Sequence, residues 1–231
     1  MKVALIGYGA MGKLIANLLH EQGDEVAVII DEKHANLSAK ELAEQLKLAD
    51  VAIDFSLAEA VLRNIEACMF AKIPLVEGTT GWNNEKENVR KMVEKHDGSF
   101  VFGANFSVGV NLFYRIVSHA SELFSKFADY ETFIEERHHS RKKDAPSGTA
   151  LKLKDLVAQH ITKEFSVAAT RAGNIPGTHI VGFDSTADTI ELTHTARTRE
   201  GFASGSILAA RWLIGKKGFW EFTEVIDEVL R

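Results

Sequence analysis

Short apolar runs alternate with amphipathic segments through the first half of the chain. Residues 3–6 form an apolar run that stops at Gly7, the pattern of a buried strand. Residues 13–21 carry helical periodicity, and Gly23 closes it. Residues 26–30 are β-branched and apolar, and Asp31 ends them. This is one unit of strand, glycine turn, helix and strand. The pattern then repeats: helix over 37–48, strand over 51–55, helix over 57–70, strand over 73–76, helix over 84–95, strand over 100–102. Strands separated by helices predict a parallel sheet covered on both faces. Ligands of such sheets bind beyond the carboxyl ends of the strands. Gly78-Thr79-Thr80-Gly81 and Gly103-Ala104-Asn105-Phe106-Ser107 fall at those ends.

The second half reads differently. An apolar helix is expected over 108–127 and a strand over 130–135, running into a histidine-rich loop; a helix follows over 150–160. Strands over 165–170, 178–184 and 189–195 then come in succession, which argues a separate α+β domain. Residues 204–213 and 220–230 read as helices, expected to return to the first domain.

Composition adds bounds. At 231 residues the chain fits one large domain or two small ones. Its apolar share of 45% and charged share of 26% are those of an ordinary globular protein. A formal charge of -5 argues against nucleic acid or an anionic membrane as partner. Cys68 is the only cysteine, so no internal disulfide forms and a reducing compartment is expected. No apolar run is long enough to span a membrane, and the N-terminus does not read as a signal peptide, so a cytoplasmic location is the default.

Two motifs carry candidate chemistry. Gly7-Tyr8-Gly9-Ala10-Met11-Gly12 has dinucleotide-loop spacing, with a strand before it and a helix after. Gly7 permits the turn, Gly9 admits the pyrophosphate, and Gly12 lets helix and strand pack closely, while N–H groups at the helix start face the phosphates. Asp31, nineteen residues beyond Gly12, is placed to accept from an adenosine ribose, which favours NAD. Lys33 is placed to meet a 2′-phosphate, which admits NADP. Thr79, Thr80, Ala104 and Asn105 sit on neighbouring loops; turn chemistry and helix capping also explain them.

The second motif runs from Glu136 to Ala150 and holds His138, His139, Arg141, Lys142, Lys143 and Ser147-Gly148-Thr149. Adjacent histidines on extended backbone point to opposite sides. An imidazole donates a proton near neutral pH, and a lysine holds a carboxylate. The helix start at Ser147-Gly148-Thr149 offers free N–H groups as a second anion cradle. Asp144 is placed to cap the turn or pair with a cation. The blander alternative is an exposed basic loop with a helix cap. No metal is expected, because zinc-like ligand spacing is lacking and the surrounding cations oppose one.

This second motif resembles the dihydrodipicolinate reductase family, enzymes acting on 4-hydroxy-tetrahydrodipicolinate. The resemblance rests on His138-His139, Lys142 and Asp144-Ala145-Pro146-Ser147-Gly148-Thr149, with Gly78-Thr79-Thr80-Gly81, Asn105-Phe106-Ser107-Val108-Gly109 and the stretch from His194 to Gly205 matching in order. It implies an α/β protein: an N-terminal Rossmann-like domain over 1–106, joined by C-terminal helices over about 207–231, and a second α+β domain over 107–206 on an open mixed sheet, binding substrate and mediating a homotetramer. It implies NADH or NADPH as coenzyme and a small cyclic dicarboxylate as substrate, reduced to tetrahydrodipicolinate in lysine and diaminopimelate biosynthesis. Carried over by position, His138 is the proton donor and Lys142 contacts a substrate carboxylate. His139, Gly148 and Thr149 complete the substrate pocket. Gly7 to Gly12 hold pyrophosphate, and Gly78, Thr79, Thr80, Gly103, Ala104, Asn105 and Phe106 line the coenzyme side, with Asp31 at the ribose.

The chain departs from the family in a shorter glycine loop, a shorter overall length, Arg137 before the paired histidines, and Asp31-Glu32-Lys33 in place of an acid–arginine pair. These bear on coenzyme choice, for which dual use is expected. A reductase of another small acid would share the glycine loop without needing the second motif. A non-catalytic nucleotide-binding regulator could dispense with His138 or Lys142.

Overall fold

The computed structural model describes all 231 residues. They divide into two compact units, Met1–Val108 with Glu200–Arg231, and Gly109–Arg199.

The first unit is built on six parallel strands: β1 (Lys2–Ile6), β2 (Glu25–Ile30), β3 (Val51–Asp54), β4 (Leu75–Glu77), β5 (Ser99–Phe102) and β10 (Gly218–Glu221), in the order β10-β5-β4-β3-β1-β2. Alternate positions face opposite sides. Ala4, Ile6, Ala52, Leu75 and Phe100 pack against α2 (Ala39–Leu46), α3 (Val61–Ala71) and α4 (Lys86–Lys95). Leu5, Ile53, Val76 and Val101 are buried on the other face, the side of α1 (Ala10–Glu21), α7 (Glu200–Leu213) and α8 (Phe222–Val229). Local chemistry sets the helix ends. Ser38 and Glu41 form a capping box at the start of α2, and Gly23 leaves α1 with φ +76°.

Strand β10 corrects the expected helix over 220–230. Trp220 and Glu221 are extended and pair with Val101 and Phe102, and the helix starts only at Phe222. A run of four residues is too short to show a period. It becomes a strand because β5 offers an open edge far away in sequence.

The second unit has four strands, β6 (Glu131–His138), β7 (Ser166–Arg171), β8 (Thr178–Asp184) and β9 (Thr189–Thr195), in the order β7-β6-β8-β9. The sheet is mixed: β6 runs parallel to β7 and antiparallel to β8, and β8 antiparallel to β9. Ile134, Val181 and Phe183 pack with Leu153 and Val157 of α6 (Gly148–Ala158) and with Phe113 and Val117 of α5 (Val108–Phe124). α5 stops at Phe124, short of the expected 127. β6 runs past the expected 135 to His138, because β7 and β8 pair with it on both edges. His138 therefore stands on a strand rather than in a loop. No helix is long and apolar enough to cross a membrane.

Candidate active site

The first unit gathers its predicted residues at the carboxyl ends of its strands. Gly7 ends β1 with φ +85°, a conformation that favours glycine, and donates its N–H to the Ile30 carbonyl at 2.8 Å. A Cβ on Gly12 would collide with the Gly7 carbonyl oxygen, so that pair of glycines sets how closely α1 approaches β1. Gly9 is the N-cap of α1 and supplies no side-chain cap. The first-turn N–H groups at Ala10, Met11 and Gly12 lack intrahelical acceptors, and a Cβ on Gly9 would meet only open space. That is a cradle of donors beside room for an anion, and it fits a dinucleotide phosphate. Tyr8 flanks it, partly exposed.

Asp31 follows β2 and caps a short 3₁₀ turn, where its carboxylate accepts from Lys33 N–H at 3.0 Å and pairs with His34 Nδ1 at 2.9 Å. The Lys33 N–H is the main cause that holds this carboxyl below its ordinary range, with His34 adding to it. Its second oxygen, Oδ2, remains open to a hydroxyl donor. Lys33 itself is exposed.

The loops after β4 and β5 hold the remaining residues. Thr80, Gly103 and Ala104, with Glu77, Thr79, Trp82 and Phe102, line a cavity of about 250 Å³, and Gly78 packs against the Phe55 ring. Thr79 turns inward: its N–H donates to Glu77 Oε1 at 2.7 Å and its hydroxyl accepts from Ser56 N–H at 3.0 Å. Asn105 Oδ1 accepts from Ser107 N–H at 2.9 Å. Phe106 is buried against Phe55 and Phe222. Beneath the loop lie two fully buried carboxyls on neighbouring strands, Asp54 and Glu77. Burial pushes both upward, and Asp54 raises Glu77 further.

In the second unit, strand register assembles a row of ionisable groups on one sheet face. Glu136 and His138 share a face of β6. Glu136 lies opposite His179 of β8, His179 opposite His194 of β9, and His138 opposite Arg171 of β7. The Glu136 carboxylate is 1% exposed. Its Oε1 takes Arg171 Nη2 at 2.6 Å and the Ser147 N–H at 3.0 Å, and its Oε2 contacts His138 Nδ1. Burial pushes this carboxyl up, but Arg171, the Ser147 N–H and His138 together hold it below the usual range. Burial also lowers His138; Glu136 opposes that, while Lys142 and Arg171 add to it. His179 is pushed down to about 4, first by burial and then by the charge of His138, so it is neutral near pH 7. Its Nε2 pairs with Ser147 Oγ at 3.0 Å.

Donor atoms of Glu136, His138 and His179 converge within 4.8 Å, a spacing that would suit a cation. The guanidinium of Arg171 already neutralises that carboxylate, which disfavours a second positive charge.

His139 begins the turn after β6, and its carbonyl accepts from Lys142 N–H at 3.1 Å. Lys142 Nζ pairs with Asp144 at 2.8 Å, and Lys142 is the main cause that lowers that carboxyl. Ser147 caps α6, its Oγ accepting from Ala150 N–H at 3.2 Å. The helix start is therefore less open than the sequence suggests. Ser147 N–H serves Glu136, and Gly148 N–H faces the Asp144 carboxylate. Thr149 hydrogen-bonds the hydroxyl of Tyr114. Asp144 thus occupies the ammonium and the helix end expected to receive a substrate carboxylate.

Glu136, Arg171 and His179 escaped the sequence reading as site residues. The i, i+2 spacing of Glu136 and His138 was the available signal. Arg171 and His179 join them only through the ladder.

Comparison with known proteins covers both units. Residues 1–106 match the family model described as "Dihydrodipicolinate reductase, N-terminus", and residues 109–226 match "Dihydrodipicolinate reductase, C-terminus". A protein of Christiangramia forsetii named 4-hydroxy-tetrahydrodipicolinate reductase is 35% identical, with 100% of each chain covered. One of the same name from Methanoregula boonei is 36% identical, with 97% of each covered. Among solved structures, dipicolinate-bound dihydrodipicolinate reductase from Paenisporosarcina sp. TG-14 shares the fold with a TM-score of 0.79 at 21% identity, covering 97% of this chain and 99% of that one.

Proposed function

The chain belongs to the dihydrodipicolinate reductase family, and we propose that it reduces 4-hydroxy-tetrahydrodipicolinate to tetrahydrodipicolinate with NADH or NADPH, in lysine and diaminopimelate biosynthesis. The observation that carries this reading is the second unit's row of charge. An imidazole backed by a buried carboxylate stands beside an ammonium and a helix N-terminus already engaged with a carboxylate. That arrangement suits a dicarboxylate that must receive a proton.

In this reading the first unit binds the coenzyme. Gly7 to Gly12 and the start of α1 hold the pyrophosphate, Asp31 and Lys33 meet the ribose end, and Gly78, Thr79, Thr80, Gly103, Ala104, Asn105 and Phe106 form the nicotinamide side, the last through packing. The coenzyme supplies the hydride when bound. The second unit binds the substrate. Lys142 exchanges Asp144 for a substrate carboxylate, Gly148 and Thr149 offer helix-start N–H groups, and His139 closes one side. His138 gives the proton from its imidazolium form. The second unit also forms a homotetramer, and the enzyme works in the cytoplasm.

The test is NADH and NADPH consumption by the whole protein, with substrate generated from pyruvate and aspartate semialdehyde by the upstream synthase. Consumption that depends on the synthase is expected with both coenzymes. Folded protein that binds NADH yet consumes neither would overturn the assignment. Asp31→Ala should reduce kcat/KM for NADH more than for NADPH, by about tenfold; a parallel loss would remove Asp31 from the ribose. Mass photometry reads the tetramer.

A further inference from the structure

The substrate reading explains Lys142 and the start of α6, but not why a glutamate is buried behind His138. Glu136 collects donors from three elements: Arg171 on β7, the Ser147 N–H at the head of α6, and His138 on its own strand. Oε1 takes the first two, so Oε2 is left to the imidazole alone, and neither Oε2 nor His138 Nδ1 has another partner. At the opposite edge of the ring, Nε2 faces Gly177, where a Cβ would lie 2.9 Å away. His179 closes a third side edge-on, with ring centroids 5.2 Å apart.

We propose that Glu136 is a positioning residue for the acid: it fixes Nδ1 of His138, so that Nε2 is the nitrogen that delivers the proton, and it supplies the negative charge that makes the imidazolium accessible. Gly177 keeps the Nε2 edge uncrowded. This rests on the reading of His138 as proton donor.

The charge balance around the ring supports the role. Arg171 from β7 and Lys142 from the following turn both oppose an imidazolium. His179 from β8 is neutral, His194 from β9 faces His179 rather than His138, and Asp144 spends its charge on Lys142. Glu136 is the anion in contact with the imidazole. Desolvation already lowers His138, so loss of that anion moves the acid form further from neutral pH.

Glu136→Gln tests this, because the amide keeps the shape but removes the charge. Two readouts apply: the pH profile of kcat, and an NMR titration of the His138 imidazole, assigned by its loss in His138→Asn. The titration should move to lower pH. The kcat near neutral pH should fall about ten- to a hundredfold and recover as the pH is lowered. Substrate KM and NADH Kd should stay within about twofold. An unmoved titration, or a kcat loss constant across pH, would overturn the proposal. Wild-type turnover in His138→Asn overturns the acid reading itself, whereas the unmoved titration in Glu136→Gln overturns only the role of Glu136. Should Glu136→Gln fail to fold, Glu136→Asp keeps the charge but draws the carboxylate back from His138 Nδ1. A fall in kcat with a shifted His138 resonance supports the frame, and unchanged kcat and resonance reject it.

Discussion

Each unit buries a glutamate near the end of a strand, and the two have opposite electrostatic lives. Glu77 is 0% exposed and Glu136 is 1% exposed. Burial pushes both carboxyls upward, and it is the largest influence on each. Glu77 meets no cation. Its neighbour is the second buried acid, Asp54, and its Oε2 has no partner. Glu136 meets Arg171 and an imidazole, which reverse the shift. Similar exclusion from solvent therefore goes with a scaffold that favours a neutral acid in one unit and a working charge in the other. Glu77 lies deeper in the protein than Glu136 and has no cation beside it, so depth and partner together decide which a buried acid becomes.

The comparison predicts opposite responses to pH. The folded pKa of Glu77 is raised. Its contribution to stability is fully present below the ordinary carboxylate range and is lost as pH rises through the raised value. The folded pKa of Glu136 is depressed. Its contribution is present above the ordinary range and is lost as pH falls through the lowered value.

The largest effect is expected from Glu136→Ala, which removes the carboxylate that neutralises the Arg171 guanidinium and takes the acceptor from the Ser147 N–H. A loss of about 3 kcal/mol is expected in urea denaturation at neutral pH, shrinking in acid; a loss under about 0.5 kcal/mol would show that the charge is not buried in effect. A smaller effect of the other sign is expected from Glu77→Gln, whose amide can donate to Asp54. A gain of about 1 kcal/mol above the carboxylate range is expected, with no gain at low pH. Destabilisation at every pH would end the contrast between the two acids. The smallest effect belongs to Asp144→Asn. Asp144 is 54% exposed in its side chain, so its pairing with Lys142 is worth under about 1 kcal/mol. Releasing Lys142 should lower substrate KM by about two- to threefold with kcat unchanged. A raised KM would mean that Asp144 orients Lys142 instead of competing for it.

The alternating architecture of the first unit was legible because its periods are local: Val3 to Ile6 and Lys13 to Glu21 declare strand and helix within a few residues of themselves. Gly218–Glu221 did not, since its ladder partner Ser99–Phe102 is remote and Glu221 also opens the helix that follows. The site divides in the same way. His138, Lys142 and the Ser147 cap share one contiguous stretch and stood out together. Arg171 and His179 carry no local mark, because their meaning comes from register across β6, β7 and β8. The occupancy of the α6 start by Asp144 was also hidden. The sequence left capping and cation pairing as alternatives, and the carboxylate faces both partners at once.

The strand Gly218–Glu221 completes a sheet whose other five strands have all been made by Phe102, while residues 109–199 form an uninterrupted unit between them. During synthesis the inserted unit can collapse as soon as it emerges. The first unit must wait, with the backbone edge of β5 unpaired against aromatic side chains such as Phe100 and Phe102. Such an edge is a template for pairing with another strand. A nascent chain halted before Gly218 therefore exposes the β5 edge as well as the β2 edge that the finished sheet also leaves open, and it is the stage at which a chaperone has the most backbone to shield.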